Sequence, residues 1–114
     1  MEMAEQIREK LLPVFLEKGI EKAILFGSIA RGSQTRRSDL DLMIIITTEE
    51  RFFDRYHRFE EIYSLFRERQ VDLLIYTPSE LDRISHRPFI KSILKEGRKI
   101  YERGEEHLGS QALA

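Results

Sequence analysis

The stretch Leu25–Ile46, LFGSIARGSQTRRSDLDLMIII, decides the fold. It joins two apolar runs, Ala23 to Phe26 and Leu40 to Ile46, the second rich in β-branched residues that favour strands. The connection between them is too short for an ordinary helical crossover, so the two strands should run antiparallel. The first strand ends in Gly27-Ser28, ten residues follow, and the next strand opens on Asp39-Leu40-Asp41. In a strand, residues i and i+2 project from one face, so Asp39 and Asp41 point together while Leu40, Leu42 and Ile44 point to the other side. Two adjacent carboxylates repel unless something positive lies between them. Mg²⁺ fills that role, commonly held by one or two carboxylates plus the phosphates of a substrate. The stretch therefore predicts a phosphoryl-chemistry site at a strand end.

Working outward, residues from about Glu2 to Lys18 predict a helix, with Met3, Ile7, Leu11 and Phe15 as its apolar stripe. Pro13 falls inside it and predicts a kink or a restarted turn, and Gly19 supplies a stop. From about Thr48 to Arg69, the spacing of Phe52, Tyr56, Phe59, Tyr63 and Phe66 predicts one long amphipathic helix. Its aromatics should serve the core, with outer members available to a partner. Val71 to Tyr76 predicts a third strand. Thr77-Pro78-Ser79-Glu80 reads as a capped helix start. Pro88 to Glu96 predicts a short helix ending at Gly97, and Arg98 to Glu102 a last strand. The order gives an α/β (α+β) class: a small mixed β-sheet flanked by helices. Residues 1–104 form one expected domain, and the polar stretch 105–114 an expected disordered tail.

Composition sets the limits. The 114 residues suit a single core, at 41% hydrophobic and 34% charged. The chain has no cysteine, which excludes disulfides and thiolate metal sites. No apolar run reaches the roughly 18 residues of a membrane span, and no signal peptide is evident, so a soluble cytoplasmic protein is expected. The net charge of −1 gives no global pull toward nucleic acid. The local exception is the basic loop of Arg31, Arg36 and Arg37 ahead of the aspartates. His57 has no Cys or His at ligand spacing and is expected on the surface.

A third acid completes the candidate site. In Val71-Asp72-Leu73-Leu74-Ile75-Tyr76, alternation sets Asp72 on the face opposite Val71, Leu73 and Ile75. If this strand lies beside that of Asp39 and Asp41, three carboxylates converge at one sheet edge. Three acids can hold two Mg²⁺ about 3.5–4 Å apart, the arrangement of two-metal phosphoryl transfer. Gly27 permits close approach of backbone to phosphate, and Ser28 offers an N–H and a hydroxyl. A P-loop is excluded, because Gly27-x-x-x-x-Gly32 is followed by Ser33-Gln34 rather than Lys and Ser/Thr.

Gly27-Ser28, the ten-residue gap, Asp39-x-Asp41 and the later Asp72 together resemble the polymerase-β-type nucleotidyltransferase superfamily. The longer string Leu25-Phe26-Gly27-Ser28-x-Ala30-Arg31-Gly32, followed by Ser38-Asp39-Leu40-Asp41-Leu42, is similar to its minimal members, the MNT-domain proteins. The resemblance covers about residues 4–103. It implies a nucleotidyltransferase fold, ATP or another nucleoside triphosphate as donor, and Mg²⁺. It implies that Gly27 and Ser28, with Arg31 of the same motif, hold the triphosphate. Asp39 and Asp41 would bind metal, and Asp72 would bind metal and assist the nucleophile. It implies a partner as well: minimal nucleotidyltransferases are often paired with helical HEPN-domain RNases as antitoxins, and the MntA-type members transfer AMP onto a tyrosine of the toxin. Larger superfamily members add a helical domain at about the point where this chain ends, so an open site or walls borrowed from another protein are expected. The competing readings are an antitoxin acting by occlusion alone and a subunit that modifies a small molecule. Intact acids weigh against the first, and the missing enclosing pocket against the second.

Overall fold

The computed structural model describes residues 3–33 and 38–105, the side chain of Met3 excepted. Arg36, Arg37, Met3 as a stripe member and nearly all of the expected tail lie outside these described residues. The elements follow in the order α1 (Met3–Lys18), β1 (Lys22–Phe26), α2 (Gly27–Arg31), β2 (Leu40–Ile45), α3 (Arg55–Arg58), α4 (Glu60–Leu65), β3 (Val71–Tyr76), α5 (Pro78–Ile84), α6 (Pro88–Glu96) and β4 (Arg98–Glu102). The helix α1 runs through Pro13 without a restart. None of the described helices is long and apolar enough to cross a membrane.

The sheet is mixed, in the order β3-β2-β1-β4. The short connection after β1 does produce an antiparallel β1–β2 pair, β1 is also antiparallel to β4, and β2 is parallel to β3. Period-2 alternation divides the apolar residues between two layers. Leu25, Leu40, Leu42, Ile44, Leu73 and Ile75 are buried against Ile7, Leu11 and Phe15 of α1 and against Phe59, Ile62 and Phe66. Ile24, Met43 and Ile45 face the other way and are buried against Ile90 and Ile93 of α6. Burying each such Leu or Ile contributes about 1.5–3 kcal/mol, so both layers hold the sheet flat between them. A register shift opposite Ala23 and Ile24 leaves Ile100 as an extra residue in β4, and consecutive Ile100 and Tyr101 both join the α1 layer.

The long helix expected over 48–69 is not formed. Residues 52–54 are turn, α3 and α4 are short, and Phe59 (φ −112°, ψ 21°) separates them. The winding is tight: Phe59 N donates to Tyr56 O, Ile62 N to Phe59 O and Phe66 N to Tyr63 O, each three residues back. Arg55 explains the start. Its buried guanidinium donates to the carbonyls of Glu50 and Ile75 and forms a bidentate pair with Glu80 at 2.6 and 2.8 Å. These bonds fold the segment back onto the end of β3 instead of letting it extend as a helix. Of the aromatic stripe, Phe59 and Phe66 are core, and Tyr56 donates its hydroxyl to Leu73 O at 2.9 Å. Phe53 and Tyr63 are exposed, as is His57, which faces Glu60 at 3.1 Å.

Candidate active site

The site lies at one end of the sheet, on the face that carries α6. Register places Asp41 directly beside Asp72 on β3 and directly across from Phe26 on β1. Paired residues share a face, so Asp72, Asp41 and Phe26 form a row across three strands. Farther along the same face, Met43 and Ile45 are covered by α6, which also reaches Phe26, while Asp72 at the far end of the row stays exposed.

Gly27 turns the chain out of β1 into α2 with φ +72°, in the left-handed region where glycine is favoured. It meets Asp41 so closely that a Cβ at this position would overlap Asp41 Oδ2. The Gly-Ser turn and the acid pair are thus one structure. Gly32 (φ 76°) closes α2, with its N–H donating to Ile29 O. Arg31 in the last turn of α2 is exposed, and its charge is felt at Asp41.

The electrostatics reflect crowding of acids. Burial, then a hydrogen bond shared with the Asp72 carboxyl, then repulsion from Asp72 and Asp39 push the Asp41 carboxyl up from 3.8 to about 6, and Arg31 partly offsets this. Asp72 is exposed and accepts from Gln70 Nε2 at 3.3 Å. Asp39 stands exposed just ahead of β2. Among the described residues, no three acidic or histidine side chains stand close enough to cage an ion by themselves. The donor set still suits Mg²⁺: two carboxylates meet at Asp41 and Asp72, a third bears on them, and Mg²⁺ takes its other ligands from water and substrate phosphates.

Two features lay beyond the sequence reading. A narrow cleft of about 100 Å³ runs between α2 and α6, with Phe26, Gly27 and Arg31 on one wall and Phe89 and Glu96 on the other. No spacing rule links Phe26 to Phe89, which meet only through the tertiary packing of α6. The Arg55–Glu80 pair is equally long-range. A larger hollow of about 380 Å³ lies between α1 and the end of α4, lined by Ile7, Lys10 and Phe66, and neither the Gly-Ser turn nor the aspartates border it.

Comparison with known proteins agrees with this geometry. "Putative protein adenylyltransferase MJ0435" of Methanocaldococcus jannaschii is 31% identical over 85 residues, which cover 69% of this chain and 87% of the relative. A chain of a crystal structure of a toxin–antitoxin with AMP-PNP superposes with a TM-score of 0.64 at 19% identity, over 87% of this chain and 76% of that one. A chain from the complex of tri-AMPylated Shewanella oneidensis HEPN toxin with MNT antitoxin gives 0.60 at 14% identity, over 92% and 77%. At such identities the two structures speak for the fold. Residues 9–106 match the family described as Polymerase beta, Nucleotidyltransferase, and the chain belongs to that family as a minimal nucleotidyltransferase.

Proposed function

We propose that this chain transfers AMP from ATP to a hydroxyl of a partner protein in a Mg²⁺-dependent reaction, and that the partner is a helical HEPN-type toxin, silenced by the modification. The observation that carries the proposal is the packing of Asp41 between Gly27 and Asp72. One side of Asp41 borders a turn suited to phosphate and the other borders a second acid. The relative named as a protein adenylyltransferase supports the chemistry, and the toxin–antitoxin complexes that share the fold support the partner class.

In this reading Gly27, Ser28 and Arg31 hold the triphosphate. Ser28 offers its N–H and hydroxyl, and Arg31 offers positive charge beside Asp41. Asp39, Asp41 and Asp72 would hold Mg²⁺. Bound there, the ion supplies Lewis acidity at the phosphates and eases ionisation of the attacking hydroxyl. The acceptor oxygen bonds to the α-phosphorus, the bond from that phosphorus to the bridging oxygen breaks, and pyrophosphate leaves. Asp72, exposed on the edge strand β3, takes the hydroxyl proton.

The test is co-expression with the product of the neighbouring gene, addition of ATP and Mg²⁺, and intact mass spectrometry of the partner. A gain of one or more AMP units, lost with Asp41→Asn, supports the proposal. Stable binding without a mass change would establish occlusion instead. Neither binding nor modification would reject both.

A further inference from the structure

We infer that Phe89, backed by Phe26, is the platform on which the nucleotide's base stacks. The inference rests on the ATP reading above and extends it to the part of the ligand that the Gly-Ser turn and the acids do not address. Phe26 lies directly across from Asp41, so its ring is on the same face as the acids, one strand over at about 5 Å. The position of α6 beside it is fixed. Gly97 lets the helix end lie flat on β1, since a Cβ there would overlap Ile93 O and Ile24 Cγ2. Ile90 and Ile93 anchor the same helix in the core. Phe89, in the first turn of α6, consequently meets Phe26 edge to face, with ring centroids 5.9 Å apart and an interplanar angle of 81°.

Packing does not consume this ring, because Phe89 remains 58% exposed. It borders the cleft that starts at Gly27 and Arg31. One wall of the cleft carries Gly27 and Arg31, which suit charged phosphates, and the facing wall carries the Phe89 ring, which suits a base. Base–aromatic stacking tolerates any base, since each has a π-face. The Ser92 hydroxyl is engaged with Phe89 O at 3.0 Å, and Glu96 is exposed. Stacking on the platform supplies affinity common to every base, and any base selectivity falls to the Glu96 carboxylate on the same cleft.

The test is calorimetric titration of the chain with ATP and, separately, with inorganic tripolyphosphate, both with Mg²⁺. Phe89→Ala should weaken ATP binding roughly ten- to a hundred-fold, the range of a lost stacking contact, and leave tripolyphosphate binding unchanged. Phe89→Trp should restore ATP affinity. The chain has no tryptophan, so this substitution also installs a single tryptophan, whose emission ATP should quench and tripolyphosphate should not. Circular dichroism melting shows that each variant is folded. Unchanged ATP affinity in folded Phe89→Ala overturns the platform, and loss of partner modification alongside it would assign Phe89 to the acceptor. If neither ATP nor tripolyphosphate binds the unsubstituted chain, the nucleotide reading fails, and the platform with it.

Discussion

Gly27 lies against the carboxylate of Asp41 so closely that a methyl side chain there would displace Asp41 Oδ2. The phosphate-suited turn and the acid therefore cannot be varied independently. Gly27→Ala meets two penalties: a positive φ that costs about 1–2 kcal/mol, and overlap with Asp41. Gly32→Ala meets only the first, since φ is +76° but nothing lies within 4 Å of an added Cβ. Urea unfolding should place Gly27→Ala at least about 1 kcal/mol below Gly32→Ala. Nucleotide transfer should be lost in Gly27→Ala. Equal stability of the two variants would contradict the packing.

Asp41→Asn should abolish transfer and stabilise the metal-free protein. The carboxyl titrates near 6 when folded against an ordinary 3.8, so the folded state binds the proton more tightly. Stability is then lost as pH rises from about 4 through 6, and the loss is complete above that window. The group is partly solvated, and after screening the penalty comes to about 1 kcal/mol, or roughly 4 °C in Tm. The Tm advantage of Asp41→Asn should be near zero at pH 4 and full at pH 7.5. A constant difference across that range would count against carboxylate crowding.

Glu80→Gln should show the opposite pH signature. The hydrogen bond from Arg55 holds the Glu80 carboxyl down at about 2. A depressed carboxylate stabilises above its ordinary value of 4.5, and the effect fades as pH falls toward 2. Arg55 is 4% exposed, so loss of its charged partner should cost about 2 kcal/mol at pH 7, discounted because Glu80 is partly solvated. Urea unfolding should find the full gap between wild type and variant at pH 7 and less than about half of it at pH 3. Transfer chemistry is not expected to follow this pattern.

The same pair shows what the sequence could and could not reveal. Gly27-Ser28, Asp39-x-Asp41 and Asp72 were legible because strand alternation and a short connection are local rules. These rules gave the antiparallel β1–β2 step and set Asp41 and Asp72 each opposite its strand's buried neighbours, while the adjacency of the two strands, a condition of the sequence reading, comes from the parallel β2–β3 pairing. The segment after β2 misled because i, i+4, i+7 spacing is an α-helical signal that tertiary bonds override here. A chain turned by Arg55 and tightened at Phe59 buries Phe59 and Phe66 as a continuous helix would. What diverts it is a guanidinium bonded to Glu50, Ile75 and Glu80, positions far apart in the chain. The Phe26–Phe89 contact was hidden for the same reason: α6 reaches β1 through the missing side chain of Gly97.

Asp72→Asn separates the two duties proposed for that residue. Asp72 is exposed and accepts from Gln70, so folding stability should move by less than about 0.5 kcal/mol. Its hydrogen bond and its charge both push the Asp41 carboxyl up, and the substitution removes the charge. Carboxyl NMR titration without metal should therefore show Asp41 titrating below 6 in the variant. Loss of the residue proposed to take the acceptor proton should lower kcat for partner modification by about 10²–10⁴-fold. The KM for ATP should change far less if the phosphates rest, as proposed, on Gly27, Ser28 and Arg31. An Asp41 that still titrates near 6 would mean that burial, first among the causes, and the remaining repulsion from Asp39 carry the shift without Asp72. An unchanged kcat would remove Asp72 from the chemistry and leave the acceptor proton to another group.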